Sequence, residues 1–252
     1  MTTLEFQGLT KRFGEVLAVD DLTVHVPAGQ VTGFLGPNGA GKSTALRLAL
    51  GLLRPTAGRV LVAGAPYARL PRPRQVVGAV LDGEGFHPGR SGHDHLRIQA
   101  RLVGVPRSRT EEVLEEVELT AHAARRVGGY SLGMRRRLGL AAALLGDPQV
   151  LVLDEPANGL DPSGVAWLRG LLKARAARGR TVLVSSHQLS EMARTVDRVV
   201  ILQEGRLRWA GAVERLTEQG EDLEDAFLRL TSDPPPEGER VGEKNRTGGN
   251  RG

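Results

Sequence analysis

The nine residues Gly36-Pro37-Asn38-Gly39-Ala40-Gly41-Lys42-Ser43-Thr44 constrain this 252-residue chain more than any other stretch. They fit G-x-x-x-x-G-K-[ST] and lie between an apolar run, Gln30 to Leu35, and a segment of helical spacing, Ala45 to Leu53, which stops at Arg54-Pro55. Glycines let such a loop wrap an anion without Cβ clashes, so successive backbone N–H groups and the helix N-terminus converge on one phosphate chain. Lys42 would reach the β and γ phosphates, and the Ser43 hydroxyl would ligate Mg²⁺.

A phosphate loop of this kind needs a partner carboxylate, and Val150-Leu151-Val152-Leu153-Asp154-Glu155 supplies two at the end of an apolar strand. Asp154 suits an outer-shell contact to a hard cation. Glu155 could polarise the water that attacks the γ-phosphate. Around these motifs the chain alternates strands and helices. Leu4 to Phe6, Leu22 to Val26 and Arg59 to Val62 read as strands near the N-terminus. Further buried strands are expected at Val150 to Leu153, Thr181 to Ser185 and Arg198 to Gln203, with helices at Ser163 to Arg178 and Ser190 to Thr195. Between Gly92 and Gly146 the strand patterns give way to helices at His93 to Leu102, Thr110 to Val117 and Met134 to Leu145. The expected class is therefore α/β, a mainly parallel sheet with an inserted helical lobe at about 92–146. From Asp233 onward, Pro, Gly and charge replace apolar residues, so 233–252 reads as a disordered tail.

Composition narrows the function classes. Without cysteine, disulfides and thiolate chemistry are excluded. The longest apolar stretches, such as Leu138 to Leu145, fall well short of the roughly 18 residues that cross a bilayer. The N-terminus has no secretory pattern, and a cytoplasmic location is expected. The net charge of +5 is spread as interleaved Arg and Glu, so no nucleic-acid partner is expected. His87, His93 and His95 match no zinc spacing. Arg135, Arg136 and Arg137 read as a solvated first turn of a helix.

With these motifs in this order, residues 3–232 resemble the nucleotide-binding subunits of ATP-binding cassette (ABC) proteins. Tyr130-Ser131-Leu132-Gly133-Met134-Arg135 takes the place of the family signature, Ala157 to Pro162 that of the D-loop, and Ser185-Ser186-His187 that of the switch histidine. The resemblance implies a P-loop NTPase of ABC ATPase type, with an antiparallel N-terminal β-subdomain and an inserted helical subdomain. It also implies MgATP as the ligand, with two like or unlike subunits packed head to tail around it. Ser131 and Gly133 of one subunit would bind the γ-phosphate held by the other subunit's loop, Asp161 would link the two sites, and His187 would contact the γ-phosphate beside Glu155. Phe13 would stack on adenine.

The chain departs from the family pattern at Asp82, where a glutamine is usual, and at Leu132 and Met134 of the signature. Asp82 can still serve Mg²⁺ with altered reach. An acidic residue there resembles the branch serving bacitracin, lantibiotic and other drug efflux. The resemblance then implies an exporter subunit, peripheral on the cytoplasmic face of the membrane, coupled to a separate permease through residues 83–100. A soluble ABC-type ATPase, or a nucleotide-dependent regulator with little turnover, is the alternative.

Overall fold

A computed structural model describes residues 3–81, 85–217 and 221–232. The expected tail, 233–252, and Asp82 lie outside these residues.

Two sheets arise from two hydrophobic patterns. In β1 (Leu4–Phe13) and β2 (Val16–Val26), buried and exposed residues roughly alternate, as in strands with one face covered. They form an antiparallel hairpin, and β1 also pairs antiparallel with β4 (Ala57–Val62), giving the order β2-β1-β4. The fully apolar runs behave differently. β3 (Val31–Leu35), β6 (Val150–Asp154) and β7 (Thr181–Ser186) are buried at every position. Strands covered on both faces are what a parallel sheet requires. With β5 (Val77–Val80), β8 (Arg198–Gln203) and β9 (Arg206–Ala212) they form a six-stranded sheet ordered β5-β6-β7-β3-β8-β9. Every pairing in it is parallel except β8 with β9.

Helix α1 (Lys42–Ala49) follows β3 and packs between the two sheets, in a core shared with Phe6 and Phe34, whose rings are 5.5 Å apart. The short α2 (Pro73–Val76) leads into β5. Three helices, α3 (Gly92–Val103), α4 (Ser108–Glu116) and α5 (Leu132–Leu144), pack on one another, with α5 also against β5. Helix α6 (Pro162–Ala177) joins β6 to β7, and α7 (Leu189–Thr195) joins β7 to β8. The C-terminal α8 (Val213–Leu216) and α9 (Leu223–Ser232) lie beside β9.

The register positions the site. Leu35 pairs with Ser186, and Asp154 pairs with Ser185. The carboxyl ends of β3, β6 and β7 therefore lie side by side, where ligands bind in open α/β sheets.

Several elements differ from the sequence-based expectation. The N-terminal strands run on through Lys11 and Arg12 to form one long hairpin, and β5, β9 and α9 are additional. Helix α1 begins at Lys42 rather than Ala45. Arg135 to Arg137 are not a solvated turn but half-buried. Arg135 Nη1 donates to the Tyr130 carbonyl at 2.8 Å, and Arg137 Nη1 donates to the Val117 carbonyl at 3.0 Å and to Glu118 at 2.7 Å. The Arg137 guanidinium also lies 4.1 Å from the Trp167 ring centroid. Arg135 thus ties the first turns of α5 to the residue before its cap, and Arg137 ties α5 to the end of α4 and to α6.

Candidate functional site: a phosphate-binding cleft at the strand ends

The loop after β3 is shaped by positions that tolerate no side chain. A Cβ on Gly36 would overlap the Leu202 carbonyl oxygen, and one on Gly41 would overlap that of Ala18. Gly39 and Gly41 also have left-handed φ of +83° and +97°. Gly41 caps α1 through its backbone conformation, without a side-chain hydrogen bond. The first N–H groups of α1 therefore remain available to an anion.

Lys42 is only 7% exposed. Its Nζ donates to the carbonyls of Gly36 at 2.6 Å and Pro37 at 3.1 Å, so the ammonium lies under the loop it belongs to. Burial pulls its pKa below the ordinary lysine value, and the charges of Glu155 and Asp154 pull it back.

Asp154 ends β6 and is 1% exposed. Ser185 Oγ donates to its Oδ1, while Oδ2 is buried with no hydrogen-bond partner. A buried carboxylate oxygen left without a donor is costly unless a cation or a cation-bound water completes it. Its chemistry fits a hard divalent ion of the Mg²⁺ type, with the Ser43 hydroxyl in the same cleft.

Glu155 follows in a left-handed conformation, φ +49°. Its backbone N–H donates to both the carbonyl and the hydroxyl of Ser185, at 3.2 and 3.1 Å. The turn swings its carboxylate towards His187, whose Nδ1 lies 3.0 Å from Oε2.

These groups line one cleft of about 410 Å³, formed by Asn38 to Thr44 with Ala18, Asp154, Glu155, Asn158 and His187. Gly36 and Pro37 support it through their carbonyls. Ala18 and Asn158 join the lining in addition to the residues expected from the motifs. Asn158 Oδ1 accepts from Gln188 Nε2 at 3.3 Å beside His187, and Ala18 belongs to β2, remote in sequence. Ser185, expected as the end of a buried strand and the start of the His187 stretch, holds both carboxylate residues. A polar residue in the apolar run of β7 was the available signal.

The remaining candidates lie outside the cleft lining. Phe13 is 45% exposed at the end of β1, with Lys11 Nζ 4.7 Å from its ring centroid. Ser131 caps α5, accepting from the Met134 N–H at 3.2 Å, with Gly133 in the first turn. Asp161 caps α6 by accepting from the Gly164 N–H at 2.8 Å. That bond, with one from the Ser163 hydroxyl, holds its carboxyl below the ordinary aspartate value. Of the histidines weighed as metal ligands, His93 pairs with Glu111 at 2.6 Å and His95 packs edge-on against Phe86.

Comparison with known proteins gives the same assignment. A profile of the ABC transporter family matches residues 19–158. A bacitracin transport ATP-binding protein of Bacillus licheniformis is 40% identical over 209 residues, covering 82% of this chain and 68% of that one. A Nod factor export ATP-binding protein of Burkholderia pseudomallei is 40% identical over 220 residues, covering 85% of this chain and 72% of that one. The solved structure of an ATP-binding subunit of an ABC transporter superposes with a TM-score of 0.83 at 27% identity, covering 90% of this chain and 98% of that one. The chain belongs to the ABC transporter family, as an ATP-binding subunit that hydrolyses ATP.

Proposed function

We propose that the chain is the MgATP-driven motor of an exporter that moves an antibiotic-like or peptide compound through a separate membrane permease. The observation that supports the two-subunit motor in this reading is the separation of its candidate phosphate-binding groups between the cleft and the N-terminus of α5. Lys42, Asp154, Glu155 and His187 line the cleft, whereas Ser131 caps α5 and Gly133 sits in its first turn, outside the lining. A second subunit, packed head to tail, would bring its Ser131 and the α5 N-terminus to the γ-phosphate held by Gly36 to Thr44.

In that arrangement Glu155 orients and polarises the attacking water, while His187 holds Glu155 and contacts the γ-phosphate. Ser43 and Asp154 would hold Mg²⁺, with Asp82 as a further oxygen donor. The ion, when bound, neutralises charge on the phosphates. Phe13 is an open surface for adenine to stack on, and Asp161 faces the second site. Residues 3–232 act as one ATPase domain with 92–146 as its helical subdomain, and 233–252 as a tail.

Among the described residues no helix is long and apolar enough to cross a membrane, and in this reading a separate permease would supply the translocation path. A second cleft of about 350 Å³, lined in part by Tyr67, Val80, Phe86, His95 and Gln99, supports docking of a permease segment near residues 83–100, on the cytoplasmic face. The similarity to a bacitracin transport and a Nod factor export ATP-binding protein supports export of an antibiotic-like or peptide compound.

A strain carrying Lys42→Ala in place of the native chain tests the export reading. It should become more sensitive to peptide antibiotics of the bacitracin class and accumulate the labelled compound. Sensitivity and accumulation equal to wild type for every such compound would overturn export.

A further inference from the structure

The N-terminus of α5 and the loop between β6 and α6 touch within a single chain. Leu132, the first residue of α5, occupies a position where the resembled signature has glycine. It is 42% exposed, and its side chain lies against Gly159. Gly159 has φ +80°, and a Cβ built on it would overlap Leu132 Cδ2 and lie 2.6 Å from Cγ. One residue along α5, a Cβ on Gly133 would lie 3.6 Å from both the Gly159 carbonyl oxygen and Leu160 Cδ2. Helix and loop thus meet at van der Waals distance, with the leucine in the space that glycine leaves.

The loop under Leu132 begins at Glu155. The Asn158 N–H donates to the Glu155 carbonyl at 3.2 Å, and the Leu160 N–H donates to the Ala157 carbonyl at 3.1 Å. Asp161 then caps α6. Leu160 is packed on the main core, so the far end of the loop is fixed. The near end is Glu155, whose left-handed backbone persists only if its surroundings hold it. Ala157 packs on the same core and Asn158 accepts from Gln188 Nε2, whereas glycine at position 159 leaves that point of the loop with no side chain of its own to pack.

We propose that Leu132 is a positioning residue: by filling the space over Gly159 it fixes the 157–161 loop, and through it Glu155, against the N-terminus of α5. The inference rests on Glu155 acting on the attacking water, as proposed above. Binding of phosphate at the α5 N-terminus and placement of Glu155 then share one contact, made by a side chain that a glycine signature does not have.

Steady-state ATPase assays on the full chain test this. Leu132→Gly should lower kcat about ten-fold, the scale of a sub-ångström misplacement, with KM for ATP changed by less than about two-fold. Leu132→Ala should be intermediate, and Leu132→Met, which keeps the volume, should retain kcat. Gly159→Ala should lower kcat in the native background. In the Leu132→Gly background it should cost less, because the new methyl enters vacated space, while the strain of alanine at positive φ is common to both and cancels. Unchanged kcat in Leu132→Gly, an equal Gly159→Ala penalty in both backgrounds, or a lowered Tm with kcat intact would each overturn the proposal. Glu155→Gln, assayed alongside, separates the two readings. If it turns over ATP normally, the role of Glu155 fails. If it is inactive and Leu132→Gly matches wild type, only the role of Leu132 fails.

Discussion

Asp154 and Glu155 are neighbours in sequence and opposites in setting. Asp154 is sealed at the end of β6 with one oxygen held by Ser185 and the other unpartnered. Glu155 turns out of the strand at a left-handed φ towards His187. The first environment suits a fixed cation ligand, and the second suits a carboxylate that works on water. Glu155→Gln should therefore reduce kcat by about 10²-fold or more while leaving ATP affinity near wild type, measured by turnover and by equilibrium nucleotide binding. Ser185→Ala removes the hydroxyl bond to Asp154 and one of the two bonds to the Glu155 N–H. Its expected outcome is a drop in kcat of about ten-fold and a higher Mg²⁺ requirement, read from a metal titration of ATPase activity. Gly41→Ala should abolish nucleotide binding, because its methyl would overlap the Ala18 carbonyl at a positive φ.

At the scale of elements, the apolar strands and the amphipathic helices α3 and α4 were legible because their periods are clean, and α5 and α6 because a helix-forming run of Leu, Ala and Arg follows a capping Ser131 or Asp161. β3, β6, β7 and β8, and helices α3 to α6, lie within a few residues of the expected spans. The rest was obscured by local geometry. Register shifts between Phe6 and Leu9, and again at Lys11, break the alternation of the N-terminal hairpin. Gly78 disguises β5, and it must be glycine because a Cβ there would overlap the Ala143 carbonyl of α5. β9 carries Arg206 and Arg208 at the sheet edge, where charge is expected. The motifs announced themselves, whereas Ala18 gains its place only through folding of a remote segment, Ser185 gains its bonds to Asp154 and Glu155 through the pairing of β6 with β7, and Asn158 enters the cleft by the local turn after Glu155.

Elements are also joined by charge. Between α5 and β6, Asp147 accepts from Arg175 at 2.7 Å and Arg180 at 2.6 Å. Arg175 is 2% exposed, so its guanidinium depends on this partner. Burial works against ionisation of Asp147, but the Arg175 bond and the charges of Arg180 and Arg109 outweigh it, so its pKa lies below the ordinary 3.8. A carboxylate depressed on folding stabilises above its unfolded pKa, and the contribution is lost as pH falls through the folded value. Asp147→Asn should cost about 1–2 kcal/mol at pH 7, at the low end for bonds to charged groups because Asp147 is half exposed. In denaturant titrations the gap from wild type should narrow as pH falls below 3.8.

For the whole molecule, the described residues hold the glycine-rich loop, two carboxylates and a histidine in one cleft, and Ser131 and Gly133 at the N-terminus of α5, outside that cleft's lining. One chain carries both halves of a site that we propose two chains complete. The most direct test is size-exclusion chromatography of Glu155→Gln, in which hydrolysis is stalled with the cradle intact. With MgATP the variant should elute as a dimer and without nucleotide as a monomer, and adding Lys42→Ala should abolish the shift. Elution as a monomer in saturating MgATP, with ATP shown to be bound, would contradict the two-chain site.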